Sequence, residues 1–488
     1  MVWDGSSPRE QGMKAAFRLS PFIVFLFILP FPGTIALRLT SLAAAFLIVV
    51  ISWWRLTPPS FPCKGAIALW AGVVIASLHF AVDPAYSLGE IRSEVGYPLM
   101  AFVAFFAWTR DERQLRLSCL AVLAGFGVIS GSALLGGYLR HGDWPSDVYY
   151  GGVGGVSNYL VTVGPVLALT VAVFGRQRSS KWWLALLGLL FLAVALLSAQ
   201  RALWPAIGLQ AALVCGWCFR ERAVAVGPVR LALTGTILLA LIGTGVYVSD
   251  QFRTGGNPES PLAMGKDVRP RVWKRVGEEI LAHPLSGAGF GRGVMSRAYP
   301  ELLPADDKAL WYPHNGLAEG KVFWHPHNLV LNYGISAGVP GMVAVLALFA
   351  ALAWRFWQLA RHGERLARLS GLAGAAMVVG VLTRNMANDF FVRDGALLFW
   401  ALAGVLFGYA LRRRPTSGED RVRASRTARR CGAAATSATF RQGSLGVGTR
   451  VLAMAVGAVT LAGGVSGRSD VPEVMGTAGG DRGGNGAA

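Results

Sequence analysis

The chain has 488 residues, of which 53% are hydrophobic and 15% charged, with a mean hydropathy of +0.46 and a formal net charge of +19. This composition is too apolar for a water-soluble domain. The apolar residues fall into blocks about as long as a helix needs to cross a ~30 Å hydrocarbon core. Because backbone groups in lipid must pair within their own segment, the sequence predicts an all-α, polytopic membrane protein.

About twelve such blocks are predicted to be transmembrane helices. They are residues 17–36, 41–54, 65–82, 96–108, 115–139, 152–174, 182–198, 203–219, 229–249, 328–354, 369–383 and 395–411. Two of them, 41–54 and 96–108, are short, so either their ends extend into the flanking residues or the helices pack in the interior. The first block is long and is followed at once by another, which favours an uncleaved span over a signal peptide.

The positive charge indicates topology. Lys and Arg concentrate in alternate loops, which is the positive-inside pattern and puts both termini in the cytoplasm. The sequence therefore predicts membrane lipids as surroundings and no nucleic-acid partner. The five cysteines lie in predicted spans, cytoplasmic loops or the tail, so no disulfide framework is expected.

These features divide the chain into four parts. Residues 1–249 hold nine spans, residues 250–327 form the one long loop, and residues 328–411 hold three more spans. Counting crossings places the long loop in the periplasm, so the expected location is a bacterial inner membrane. Residues 412–488 are first Arg-rich and then Gly- and Ala-rich, which predicts a disordered cytoplasmic tail.

The long loop carries a cluster of cations, namely Lys266, Arg269, Arg271, Lys274 and Arg275. Within residues 271–281, Val272, Val276 and Ile280 recur at helical spacing, which predicts a short amphipathic helix lying on the bundle. The planar donors of Arg suit phosphate oxygens, so the cluster favours a lipid-linked phosphate or diphosphate. An equally open alternative is a cationic face that touches anionic lipid heads.

Two further arginines are candidates for the same face. The Gly-rich segment 283–293 turns the chain sharply and brings Arg292 towards the cluster. Arg201 lies between two apolar blocks, at the predicted outer end of a span. It either extends to the interface or takes part in function, and the shared face favours the functional role.

The histidines at the end of the loop could be metal ligands, and one of them is a candidate for proton transfer. His314, His325 and His327 have no nearby Cys or acid at ligand spacing, so the metal signal is weak and no metal or cofactor is predicted. His327 is suited to accept a proton from a hydroxyl. Asn328 is predicted to orient substrate or to fix the ring, and the Gly338-x-x-Gly341 spacing to let a neighbouring helix approach closely.

The last predicted outer loop is crowded with charged and polar residues, namely Arg384, Asn388, Asp389, Arg393 and Asp394. Two interpretations are equally open. The residues pair among themselves as a structural clamp, or they take part in catalysis, with Asp389 and Arg393 supporting the site.

The chain resembles the O-antigen ligases, within a superfamily that includes O-antigen polymerases and O-linked oligosaccharyltransferases. The family signature is His followed by Asn, Ser or Gln, nine residues, and Gly-x-x-Gly, which is matched here by His327, Asn328, Gly338 and Gly341. Three other elements also resemble the family, namely Arg269-Pro-Arg-Val-Trp273, Pro284-Leu-Ser-Gly-Ala-Gly289 and Ser198-Ala-Gln-Arg201.

The resemblance implies a reaction and its partners. The donor is a glycan on undecaprenyl diphosphate, and the acceptor is a sugar hydroxyl of lipid A–core. His327 is the implied general base. Arg201, Arg269 and Arg292 hold the diphosphate, with Arg271 close enough to substitute. No metal or cofactor is required, and a single displacement inverts the anomeric centre.

Other functions share these motifs. A polymerase uses a second lipid-linked repeat as acceptor, and a protein O-oligosaccharyltransferase uses a Ser or Thr hydroxyl. A transporter or flippase is the alternative from a different class, because many polytopic proteins with intramembrane charges are transporters. The ionisable groups here gather at one rim and not at the bilayer midplane, which favours the enzyme.

Overall fold

The computed structural model describes residues 20–53, 60–141, 153–174, 178–221, 228–254, 256, 269–299 and 325–413. Every regular element in these residues is helical, which confirms the all-α prediction. The helices are α1 (20–28), α2 (Ile35–Trp53), α3 (Lys64–Ala76), α4 (Pro84–Ile91), α5 (Tyr97–Trp108), α6 (Glu112–His141), α7 (Val153–Ser157), α8 (Leu160–Phe174), α9 (Arg178–Leu197), α10 (Leu203–Arg220), α11 (Pro228–Thr254), α12 (Arg269–Ala282), α13 (Val294–Ala298), α14 (Leu329–Arg361), α15 (Arg365–Asn385) and α16 (Arg393–Arg412).

Several helices have the length and composition of membrane spans. Among the described residues five are long and apolar enough, namely α2, residues Glu112–Gly136 of α6, α14, α15 and α16. Each of the twelve predicted blocks contains a described helix, but the count of twelve crossings and the periplasmic placement of the long loop remain predictions. Lys266, His314 and almost all of the predicted tail lie outside the described residues.

The short block 96–108 extends towards its N-terminus as expected. α4 begins at Pro84, and the Asp83 side chain accepts the Tyr86 backbone N–H at 3.0 Å as an N-cap. One π-helical turn, Arg92–Gly96, then joins α4 to α5. Such turns insert an extra residue into a helix and often occur at functional sites.

The C-terminal helices form the centre of the bundle around α16, whose apolar residues from Ala396 to Ala410 are buried. Gly404 and Gly408 allow α16 to approach α5 closely, because a Cβ on either glycine would lie within 2.7 Å of the Phe102 or Phe106 carbonyl oxygen. Small residues at helix crossings are the usual way to gain packing in a membrane. α14 and α15 also pack against this central group of helices, which fixes the positions of the loops at their ends.

α12 lies on the bundle as the sequence predicts. Val272, Val276 and Ile280 are buried, and they pack with Met295 and with Ile335 of α14. The Trp273 indole N–H donates to the Pro326 carbonyl oxygen at 2.8 Å, which ties α12 to the segment just before α14. The amphipathic helix therefore places its N-terminal end, with Arg269, close to His325 and His327.

A kink in α14 receives the Gly-rich turn. Ala337 and Gly338 leave helical geometry, and Gly338 has φ +67°. The Val339 N–H then donates to the Pro284 carbonyl oxygen at 2.8 Å, and the Ala288 N–H donates to the Ile335 carbonyl oxygen at 2.9 Å.

Gly338 meets the loop instead of the neighbouring helix that was predicted to approach the Gly338-x-x-Gly341 spacing. A Cβ at Gly338 would lie 2.6 Å from the Pro284 carbonyl oxygen. The prediction was correct about close approach and wrong about the partner. The reason is that the kink exposes backbone groups, which a loop can pair with and a regular helix cannot.

Candidate active site

His325 lies at the centre of the candidate site and is 4% exposed. Its Nε2 is 2.6 Å from Nη2 of Arg292, and its Nδ1 is 3.1 Å from the backbone N of His327, so each ring nitrogen faces a donor. The two imidazole rings lie 4.1 Å apart between centroids. Burial first, and then the neighbouring His327, Arg292 and Arg269, lower the pKa of His325 well below its usual value near 6.5. His325 is therefore a neutral ring beside two arginines.

Arg292 and Arg269 arrive from different segments of the loop. Arg269 begins α12, and Arg292 follows the Gly-rich turn. Nε of Arg292 is buried and has no hydrogen-bond partner among the described residues, and its guanidinium lies 5.9 Å from the centre of the Phe390 ring. The two predicted diphosphate-binding arginines thus converge on His325, and Arg292 keeps donor capacity for a ligand.

His327 is half-buried and has a left-handed backbone, with φ +52°. This conformation is uncommon for a residue with a side chain and is found where the surroundings impose it, often at functional sites. Asn328 follows as the N-cap of α14. Its Oδ1 accepts the Leu331 N–H at 3.1 Å and its Nδ2 donates to the Met386 carbonyl oxygen at 2.8 Å. Asn328 fixes the turn that holds His327, and its predicted contact with substrate stays a prediction.

The Gly-rich turn packs against α4 as well as α14. The Gly293 N–H donates to the Tyr86 hydroxyl at 2.8 Å, and Arg297 forms an ion pair with Asp83 at 2.7 Å. Gly291 has φ +133°, and a Cβ there would lie 2.7 Å from Cγ of Glu90. The position of Arg292 is therefore fixed from both sides by glycine contacts that larger residues would block.

Asp389 is fully buried, and neither of its carboxylate oxygens has a hydrogen-bond partner among the described residues. Burial raises the pKa of Asp389 from 3.8 to about 6, against the opposing effect of the nearby Arg292. An unpartnered buried carboxyl is costly for stability, so such a group is a functional candidate.

The other charged residues of the last loop pair with distant segments. Arg393, with φ +42°, donates from Nη2 to Glu90 at 3.0 Å, and Asp394 forms an ion pair with Arg38 at 2.6 Å. Arg384 is fully buried and donates to Asn158 at 3.0 Å. Nη1 of Arg384 also lies 2.7 Å from the side-chain amide of Asn388, whose oxygen can accept from it, so one pair of the predicted clamp is in contact. Whether these residues act as a clamp or in catalysis stays a prediction.

The sequence reading missed Glu90 and Glu94, which are both buried beside this loop. Each has one carboxylate oxygen without a hydrogen-bond partner among the described residues. The available signal was two acids at i and i+4 at the edge of an apolar block. His325 was also undervalued, since it was considered only as a metal ligand. Within the described residues no group of three His, Cys, Asp or Glu side chains is arranged for a metal ion.

Arg201 and Arg271 are also predicted to bind the diphosphate, and the structure shows where each of them lies. Nη1 of Arg201 lies 3.2 Å from Asp250 at the end of α11, which holds Arg201 where α10 begins. Arg271 is exposed on the first turn of α12, next to Arg269. Their roles in binding a diphosphate stay predictions.

The several apolar helices indicate a multi-pass membrane protein. Its candidate site, with two histidines and two arginines, lies where α14 begins and α15 ends. Residues 186–346 match the family model described as O-antigen ligase, which supports membership of that family. The match spans α10, α12 and the histidines and ends within α14. The family implies a glycosyltransferase-type enzyme with a lipid-linked glycan as substrate. No curated protein matches the chain.

Proposed function

We propose that the protein transfers a glycan en bloc from undecaprenyl diphosphate to a sugar hydroxyl of lipid A–core at the periplasmic face of the inner membrane. The observation that carries this proposal is the convergence of Arg269 and Arg292 on the buried His325, directly beside the signature residue His327. A diphosphate-binding group and a proton acceptor then occupy one site, which is what glycan transfer from a lipid diphosphate requires.

Arg269 and Arg292 bind the diphosphate and stabilise the charge that develops on it. A planar guanidinium donates two parallel hydrogen bonds to phosphate oxygens. The ring of His325 is neutral, so it does not repel the arginines as a charged ring would. Arg201 and Arg271 are further candidates for the same substrate group.

His327 acts as the general base. The acceptor hydroxyl oxygen attacks the anomeric carbon of the donor sugar while His327 takes the hydroxyl proton. The bond between that carbon and the diphosphate oxygen breaks, and its electron pair leaves with undecaprenyl diphosphate. A single displacement inverts the anomeric centre, and neither a metal nor a cofactor takes part. Asp389 and Arg393 support the site.

An apolar groove beside the site suits the lipid part of the donor. It lies between α12 and α14, has a volume of about 360 Å³, and its lining includes Gly277, Leu281, Val339 and Val343. Leu281 and Val343 are well exposed. An isoprenoid chain in this groove would have its diphosphate near the histidine end of α14, so one ligand would occupy both surfaces.

The acceptor is tested with purified protein, undecaprenyl-diphosphate-linked O-antigen and EDTA. We expect glycan-bearing lipid A–core when that acceptor is supplied. Chain extension on lipid-linked glycan without transfer to lipid A–core would identify a polymerase, and transfer only to Ser or Thr of a protein would identify a protein O-oligosaccharyltransferase. No product with any acceptor would favour the transporter.

A further inference from the structure

We infer that His325 is a positioning residue, whose ring holds the guanidinium of Arg292 in the orientation that receives the diphosphate. The identity of the ligand rests on the proposed function. The role of the ring itself rests on the contacts of His325, which neither the family signature nor the sequence pattern assigns.

The ring of His325 has no freedom to turn away. It is 4% exposed, and Nε2 and Nδ1 face Arg292 at 2.6 Å and the His327 backbone N–H at 3.1 Å. The next residue, Pro326, accepts the Trp273 indole N–H at 2.8 Å, and Asn328 caps α14. The segment that carries His325 is therefore attached to α12 and to α14.

Two donors face a ring that accepts at one nitrogen at a time. A neutral imidazole carries a proton on one nitrogen and a lone pair on the other. When Nε2 accepts from Arg292, Nδ1 carries the proton and the contact with the His327 N–H is lost. When Nδ1 accepts the His327 N–H, Nε2 carries the proton and Arg292 is released. The ring thus couples the guanidinium to the backbone of His327.

This coupling would orient Arg292 when a diphosphate binds. Nε of Arg292 already lacks a partner among the described residues, so the guanidinium can turn its other donors to a ligand while Nη2 stays on His325. A hydrogen bond from a charged group fixes direction more strongly than a neutral one. Loss of the acceptor at Nε2 would leave Arg292 in the site but without its orientation.

Two amide substitutions separate the two contacts. In His325→Gln the side-chain oxygen reaches about as far as Nε2 and can accept from Arg292. In His325→Asn the shorter oxygen lies near the place of Nδ1 and can accept the His327 N–H, as in an Asx turn. We expect His325→Asn to weaken binding of undecaprenyl diphosphate roughly ten-fold or more and to raise the donor KM more than it lowers kcat. His325→Gln should recover most of that affinity.

Binding of undecaprenyl diphosphate to the full chain in detergent is measured for both variants at pH 7.5, with elution profile and melting temperature as checks of folding. In an Arg292→Ala background, His325→Asn should cause little further loss, because the two residues act as a unit. Equal affinities for Gln and Asn, or a tighter Asn variant, would overturn the inference. Additive losses in the double variant would also overturn it.

The result is distinguishable from a failure of the proposed function. A wild-type protein that binds undecaprenyl diphosphate with the expected order of variants, but transfers no glycan, would refute the glycosyl transfer and retain the positioning role. A wild-type protein that does not bind undecaprenyl diphosphate would refute the inference.

Discussion

At the scale of single residues, His325 brings two arginines next to His327. His327, Arg269 and Arg292 were named from the motif and from phosphate chemistry, and Arg269 and Arg292 lie at His325, the neighbour of His327. The role of His325 could not be read from the pattern, because a His-x-His spacing says nothing about which donors the ring meets in the fold. Only the structure shows that the His325 ring is buried and that two donors face it.

Asp389 gives the site a pH dependence that the sequence did not indicate. Its carboxyl is buried near Arg292, and its pKa is raised to about 6. Below that value the carboxyl is protonated, and Arg292 is no longer partly offset by a negative charge. Above it, the charged carboxylate competes with the diphosphate for Arg292.

We therefore expect the donor to bind roughly ten-fold more tightly at pH 5 than at pH 7.5 in a His327→Ala protein, which cannot turn over. The glycan-linked diphosphate is substituted at both ends, so the donor itself does not titrate in this range. Binding is measured by titration at each pH. The same titration with Asp389→Asn added should be flat, and an unchanged pH step in that variant would show that another group titrates.

At the scale of elements, α12 was predictable and the kink in α14 was not. The spacing of Val272, Val276 and Ile280 is local information, and those side chains are buried as expected. The kink depends on Ala337 and Gly338, but the partner of Gly338 comes from the turn at Pro284, more than fifty residues earlier in the chain. The sequence indicated close approach without indicating what approaches.

The π-helical turn at Arg92–Gly96 is a second element that the sequence could not predict. It joins two helices into one continuous helix, and Pro98 follows the turn by two residues. The turn adjoins Glu90, which reaches Arg393, and it contains the buried Glu94. Because buried acids in an apolar helix are costly, Glu90 and Glu94 are candidates for function.

At the scale of the whole molecule, hydrophobic blocks predicted the helices because most of the blocks are long enough to cross a membrane. The side of the membrane on which the site lies is inferred from the distribution of Lys and Arg. Two exposed positions allow a direct test of that inference. Leu285 is 77% exposed in the Gly-rich turn, and His362 is exposed between α14 and α15.

In a protein whose native cysteines are replaced, Leu285→Cys should react with a membrane-impermeant maleimide in intact spheroplasts. His362→Cys should react only after the membrane is permeabilised, because its loop is rich in Arg and predicted to be cytoplasmic. Gel-shift of the labelled protein gives the readout. The reverse pattern would place the histidine site in the cytoplasm and refute the periplasmic reaction.

The central claim is that His327 removes the proton from the acceptor hydroxyl during glycan transfer. The most direct test compares the rate of transfer to lipid A–core for purified wild-type protein, His327→Ala and His79→Ala. His79 is an exposed histidine in the turn after α3 and serves as the matched control. We predict a loss of roughly 10²–10⁴-fold for His327→Ala with donor binding retained, and a near wild-type rate for His79→Ala. A His327→Ala protein that transfers glycan at close to the wild-type rate would contradict the account.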